Sequence, residues 1–486
     1  MSLAAPVRPD AAGPARTNAA AVLTALTTTV LSYGLMQTML VPAVGVLQAA
    51  LSADTRLTAW AVLTAPLLTS AVLTPLISAL GDRHGRRRVL LAVLVCFLVA
   101  TVGAALAPGL GALLACRAVQ GVSLAVVPLS LGLVREALPP DRVAFGSGLV
   151  SGTVGGGAGL ALVVGGLICD HVSWRWLFAA GGLVILAALA LVAWFVPDGT
   201  AHADGPLDLG GAALLGGGLV ALLVALTQGP AWGWAHPGVL ALFAACVALL
   251  ALFVVVERRH SHPLVDVRTL ANGPLLVAHL GALVLGAAQF VTYVLVPRIA
   301  QLPHGLPADA APLVDYGFAL SVTGAGLLML PGTLVILPAS AVTGAVERRF
   351  GPCVPLVLGL AATALGCAAL AAWHRGEAQV VLGYLVASVG FGFAMAAMPR
   401  LVNSAVPATR AASANGVNTV ARTVGGAIGS QLAAAILSSL TLAGGAAPSE
   451  TGFSVAFWAG AAVALVGAVL PFLVRPARGE AVVQPA

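Results

Sequence analysis

Long apolar runs alternate with short polar breaks from about residue 20 to about residue 474. A helix needs about 20 apolar residues to cross ~30 Å of hydrocarbon. Runs of that length fall near 20–43, 58–80, 89–107, 112–134, 145–168 and 176–196, and two more near 209–227 and 237–256. Six further runs lie near 274–296, 317–342, 354–373, 379–398, 414–441 and 455–474. Backbone polar groups must be satisfied within each segment in lipid, so the pattern predicts an all-α polytopic membrane protein with fourteen transmembrane helices.

Composition supports that picture. Hydrophobic residues make up 59% of the 486, charged residues only 8%, and the mean hydropathy is +1.02. A soluble chain of this size needs far more polar surface. The 57 glycines would weaken soluble helices, but in lipid they let helix backbones approach closely. All 23 basic residues are arginine, which with the Ala/Val/Leu/Gly richness suggests a high-GC bacterial genome. The formal charge of +6 raises nucleic acid as a partner, yet the arginines sit between apolar runs and form no solvated stripe, so none is expected. Six cysteines form no CxxC and no Cys/His cluster and read as small packing residues. There is no HExxH, GxSxG or Walker loop, so no enzyme, cofactor or metal site is expected.

An even number of spans puts both ends on one side, and arginine placement says which. Arg56, Arg175, Arg298 and Arg375 fall in outer loops and Arg117 falls inside a span. The other eighteen, among them Arg83, Arg86, Arg258 and Arg348, are assigned to the inner side. Cytoplasmic termini in a bacterial inner membrane are therefore expected. The opening "MSLAAPVRPDAAGPARTNAA" is polar and proline-bearing, like a short cytoplasmic tail before a retained span. The division that results is a tail (1–19), a six-span lobe (20–196), a linker with two added spans (197–268), a second six-span lobe (269–474) and a tail (475–486). The two lobes repeat weakly: "GDRHGRRRVL" follows the second span and "GAVERRFGPCVPL" follows the tenth.

The first of those stretches packs one acid and four arginines into ten positions. Its glycines allow a tight turn, and the Asp82 carboxylate can accept from an arginine or a helix N-terminus across the interface between halves. Gly81, Asp82, Arg83, Gly85 and Arg86, with Glu347 and Arg348 in the second half, are candidates for a conformational latch. Arg86 to Arg88 fit a positive-inside anchor equally well. In the fourth span, "LLACRAVQG" puts Arg117 in hydrocarbon, which costs roughly 2.5–3.5 kcal/mol on insertion scales unless it faces a cavity or a partner.

Gly81-Asp82-Arg83-x-Gly85-Arg86-Arg87-Arg88 resembles the signature loop of the major facilitator superfamily, and Arg117-x-x-Gln120-Gly121 resembles its fourth-span motif. "GLVSGTVGGGAGLALVVGG" (148–166) is similar to the motif associated with antiporters through Gly148, Gly157, Gly165 and Gly166, but Ala161 and Leu162 replace its central Gly-Pro. Gly157, Ala161 and Gly165 still make a small-xxx-small stripe, read as helix packing. "DHVSWRWLF" (170–178) resembles the link into span six. With fourteen spans, the chain resembles the fourteen-span drug:proton antiporter (multidrug efflux) family. That resemblance implies a major facilitator fold with a six-plus-six core, two extra spans outside it, and alternating access. It also implies secondary active export of lipophilic or amphipathic drugs or endogenous metabolites by proton antiport.

Many members of that family carry a carboxylate in span one, where this chain has Tyr33 and Gln37 but no acid. All seventeen Asp and Glu residues fall in loops or at span ends. The coupling candidates are therefore Asp82, Arg117 with Gln120 and Gly121, and His279, the one histidine inside a predicted span. His279 also reads as an interfacial side chain. The missing acid motivates a second reading, an uncoupled or dedicated carrier of a lipid or specific metabolite. Tyr33 and Gln37 in span one and Gln289, Phe290 and Tyr293 in span nine occupy equivalent places, each set pairing an aromatic with an amide one turn away. They are candidates to line an apolar cavity with a few polar handles, or else pack between helices. With no acid there, neutral, zwitterionic and anionic compounds are expected to be handled at least as well as cations. The expected partners are the lipid bilayer, a small lipophilic substrate and protons, for a monomer.

Overall fold

The computed structural model describes residues 18–40, 43–51, 62, 64–199, 207–260, 273–302, 316–441 and 448–473. Both predicted tails, Arg56 and parts of the linkers around the two added spans lie outside the described residues.

Among the described residues, fourteen helices are long and apolar enough to cross a membrane. In order they are Ala19–Thr38, Ala65–His84, Arg86–Ala105, Leu110–Ala137, Pro140–His171, Arg175–Phe195, Leu209–Trp232, Pro237–Glu257, Gly273–Gln301, Val322–Phe350, Val354–Ala372, Glu377–Ala405, Ala408–Ser439 and Glu450–Leu473. They are numbered here as spans 1 to 14. Each coincides with a run predicted from hydropathy, but most extend past it. Span 5 starts five residues earlier than its apolar run, and span 10 ends eight residues later. Hydropathy marks what lipid demands, whereas the helix continues wherever polar side chains find partners beyond the hydrocarbon.

Two turns decide how the halves are arranged. The charged stretch after span 2 is not a loop: span 2 ends at His84, span 3 begins at Arg86, and Gly85 alone makes the turn at φ 95°. The Gly85 amide closes the turn on the Gly81 carbonyl at 3.1 Å. Gly351, after span 10, does the same at φ 99° with its amide on the Glu347 carbonyl. This left-handed conformation is open to glycine at little cost. The weak sequence repeat is thus also a repeat of backbone geometry.

Buried side chains divide into two large clusters. One draws on spans 1 to 6 and touches span 13 only through Ala412. The other draws on spans 9 to 14 and touches span 5 through Leu162 and the partly buried Val154. Between them run two seams, span 2 against span 13 and span 5 against span 10. Span 7 lies over the first seam, where Leu219 and Leu223 pack with Ala71 of span 2 and Val420 and Val424 of span 13. Span 8 packs on span 7 and leaves most of its apolar surface to lipid, with only 17% of its most apolar window buried.

Candidate functional site

Asp82 sits in the last turn of span 2, 1% exposed, at one end of the span 2/span 13 seam. Its Oδ1 accepts from Arg86 Nε at 2.8 Å and from the Ala412 amide at 3.2 Å. Its Oδ2 accepts from the Ser413 amide at 2.7 Å and the Ser413 hydroxyl at 2.6 Å. Ala412 and Ser413 open the helix of span 13, so the carboxylate meets the positive end of a helix from the other half. Arg86 is fully buried and holds this carboxylate, Glu136 of span 4 and the Ala408 carbonyl of the other half. Gly132 is the reason it fits, since a Cβ there would fall 2.6 Å from Arg86 Cδ. Gly81 likewise has Leu129 where a side chain would go. Arg83 is half-buried beside Asp208 and Arg410.

The same end carries a second clamp. Arg400, on span 12, pairs with Glu347 of span 10 and donates at 2.6 Å to the Ala144 carbonyl of span 5 in the first half. Gly344 makes room for that guanidinium. Arg135 adds a bond to the Val406 carbonyl at 3.1 Å. Arg348, the other latch candidate of that stretch, lies exposed. When Gly85 and Gly351 are superposed as equivalent turns, Arg348 falls in the place of Asp82 and Glu347 falls one residue earlier. One residue is about 100° around a helix. Glu347 therefore leaves its stretch in a different direction from Asp82, and meets Arg400 of span 12. Sequence reasoning did not find Arg400 because its partner is 53 positions away.

The glycines of span 5 serve two neighbours. Gly157 and Gly165 face span 1, where added Cβ atoms would meet Leu31 and, at 2.7 Å, the Met39 carbonyl. Ala161 between them is fully buried. Gly148 and Gly166 face span 10, meeting the Ser340 carbonyl at 2.6 Å and Thr323 Oγ1 at 2.7 Å. Gly152 and Gly159, not singled out from the sequence, complete that face against Ser340 and Thr333. At the far end Thr323 donates to Asp170 at 2.7 Å, so this seam is closed along its length.

Arg117 is buried in the first half. It donates to the Val62 carbonyl at 3.0 and 2.6 Å and to Gln120 Oε1 at 2.7 Å, and Gln120 passes a bond to Thr101 of span 3 at 2.8 Å. Gly121 then starts a tighter 3-10 stretch, Gly121–Ala125, pressed against Pro66 and Thr69 of span 2. The network ties span 4 to spans 2 and 3. His279, near the start of span 9, faces protein. It is buried between spans 9 and 13, with Nδ1 3.4 Å from Asn418 Nδ2 and Nε2 without a hydrogen-bond partner.

The two amide–aromatic pairs behave differently. In span 9 Gln289 donates to the Tyr293 hydroxyl at 3.0 Å, and the Tyr293 ring packs edge-on against Phe391 of span 12 at 6.2 Å. Phe290 is taken up by interhelical packing against Gly426 of span 13 and against Tyr293. In span 1 Tyr33 is buried and Gln37 half-buried. Sequence reasoning missed two members of the second half. Tyr384 and Ser388 of span 12 are fully buried, with the Tyr384 hydroxyl between those of Ser388 and Tyr293, and the buried Gln289 carbonyl oxygen has no hydrogen-bond partner among the described residues. It also misplaced Arg422. Counted with the inner-side arginines, Arg422 lies eleven residues into the helix Ala411–Ser439, about 17 Å from its start. Its charge reaches Tyr33 of the first half and Tyr293 of the second. The signal was in the sequence, because the run near 414–441 already enclosed it.

Two lobes of six spans that meet along two seams, with an ionic clamp at one end, define a secondary transporter of small solutes. The chain belongs to the Major Facilitator Superfamily, whose family description matches residues 26–430. It is 30% identical over 383 residues to the tetracenomycin C resistance and export protein of Streptomyces glaucescens, covering 77% of this chain and 68% of that one. It is also 30% identical over 442 residues to the puromycin resistance protein of Streptomyces alboniger, covering 86% and 84%. Among solved structures, the human organic anion transporter MFSD10 aligns with a TM-score of 0.62 at 16% identity over 93% of this chain and 99% of that one, a likeness of fold alone.

Proposed function

We propose that the chain is an inner-membrane exporter of lipophilic or amphipathic compounds, drugs or endogenous metabolites, working by alternating access as a monomer with both termini cytoplasmic. The antibiotic resistance and export proteins it resembles support the cargo class. The observation that carries the mechanism is the Asp82 carboxylate bonded to Ala412 and Ser413. Those bonds exist only while spans 2 and 13 are together at that end, so they stabilise one pose and must break in the other. In this reading Gly81, Asp82, Arg83, Gly85, Arg86 and Glu347 form the cytoplasmic latch, joined by Arg400. Tyr33, Gln37, Gln289 and Tyr293 line the central chamber. Expression in a pump-deficient bacterium tests it: lowered dye accumulation and raised resistance across several scaffolds, both abolished by D82N, are expected. Unchanged accumulation and sensitivity would overturn it.

Proton antiport is the drive this family resemblance suggests, with His279 and the Arg117–Gln120–Gly121 motif as the groups that would answer to it. A second reading, an uncoupled or dedicated carrier of a lipid or metabolite, is favoured by the absence of any carboxylate at mid-span among the described residues. Proteoliposomes separate the two. Cargo-evoked proton movement excludes the uncoupled carrier, and cargo flux indifferent to an imposed pH gradient excludes antiport.

A further inference from the structure

Two arginines lie within the apolar length of the spans, and the structure treats them differently. Arg117 spends its guanidinium on a carbonyl and an amide inside its own lobe. Arg422 has no hydrogen bond or ion pair among the described residues, and it is only half-buried. Its level in the bundle is set by backbone contact. A Cβ added to Gly286 of span 9 would fall on the Arg422 carbonyl, and one added to Gly426 would meet the Phe290 ring at 2.7 Å. Arg422 therefore stands one turn of span 9 from Gln289, with Tyr293 a turn beyond.

The surrounding groups are donors or neutral. The Tyr293 hydroxyl is already engaged, accepting from Gln289 at 3.0 Å and interacting with Tyr384 of span 12. The Tyr33 hydroxyl has no hydrogen-bond partner among the described residues, and it lies within the field of Arg422 from across the two halves. No carboxylate among the described residues occupies this depth. A permanent cation left unneutralised in the middle of a membrane protein faces a water-filled space or a ligand.

We propose that Arg422, with the Tyr33 hydroxyl of the other half, is the recognition site for the anionic group of a lipophilic carboxylate cargo. This rests on the exporter reading and narrows its substrate class. Arg422 binds the carboxylate by charge-assisted hydrogen bonds, the Tyr33 phenol completes it from the other half, and the apolar body of the cargo fills the rest of the chamber. Because Tyr33 and Arg422 belong to opposite halves, the bound anion links the two lobes.

The test is binding by the full-length protein in nanodiscs of zwitterionic lipid, titrated with pyrene-1-butyrate and with its uncharged amide. The wild type is expected to bind the carboxylate at least ten-fold more tightly than the amide. R422Q should erase that preference while leaving amide affinity in place, R422K should keep most of it, and Y33F should reduce it several-fold. Equal binding of the two probes by the wild type, binding of neither, or a full preference surviving in both R422Q and Y33F overturns the assignment. The exporter reading is judged separately, by ethidium accumulation in the pump-deficient host. Ethidium is a cation that needs no anion site, so either idea can fail without the other.

Discussion

Asp82 and Ser413 are 331 positions apart, yet the serine gives both its amide and its hydroxyl to one oxygen of that carboxylate, at 2.7 and 2.6 Å. The bond pair spans the two halves, which part at that end in the alternating-access cycle proposed above. It therefore acts on the balance between poses more than on folding.

D82N keeps the shape of the side chain and removes its charge. A hydrogen bond to a charged group contributes about 1.5–3 kcal/mol, so the equilibrium between poses should move about 10- to 100-fold toward the one open at the Asp82 end. Spin labels placed on the exposed ends of spans 2 and 13 should report a longer distance in D82N. An unchanged distance distribution would separate Asp82 from the latch.

Arg86 differs from Asp82 because it is buried between two acids, Asp82 and Glu136. R86A leaves both carboxylates facing each other without their cation, and breaking a buried pair in this way typically costs about 3–5 kcal/mol. The expected outcome is a large fall in thermal stability in detergent, with R86K recovering only part of it because lysine cannot fork between partners. Stability equal to wild type in R86A would contradict the burial seen here.

The span 5/span 10 seam depends on missing side chains. At Gly148 a Cβ would stand 2.6 Å from the Ser340 backbone carbonyl, which cannot rotate away. G148A is expected to depress cargo flux strongly, with normal membrane insertion. Gly111, where a Cβ meets nothing within 4 Å, is the control: G111A should leave flux intact and gain about 0.4–1 kcal/mol of stability. Equal effects at the two positions would mean that seam packing does not limit flux.

Outside the spans, His374 has Nδ1 2.8 Å from the Leu370 carbonyl, so that nitrogen carries the proton, while Nε2 lies 4.0 Å from Glu450. Burial holds its pKa below the ordinary value of 6.5, with Arg375 acting in the same direction and the Leu370 carbonyl and Glu450 opposing. The unfolded chain then binds the proton first as pH falls. Stability from this site is complete above about 6.5 and is lost as pH drops from there toward the lower folded value. Thermal melts at pH 7.5 and about 5 should show a smaller acid-induced drop in H374Q than in the wild type. Identical drops would remove His374 as the cause.

Hydropathy by itself determined that fourteen helices cross the membrane, because lipid leaves each apolar run no other way to satisfy its backbone. The glycine turns at 85 and 351, the buried Asp82 and the close-packing span 5 were also legible, since each depends on a residue type at a local position. Partners were not legible. That Arg86 meets Glu136 and Ala408, that Glu347 meets Arg400 and leaves Arg348 in solvent, and that His279 is buried against Asn418 follow from which helix faces which. A rotation of one residue redirects a side chain by about 100°, and apolar runs record little of that angle because every face of such a helix is apolar. Arg422 makes the point most directly: the sequence contained it within a span, but only the packing of span 13 against span 9 sets it at the level of Gly286, one turn from Gln289.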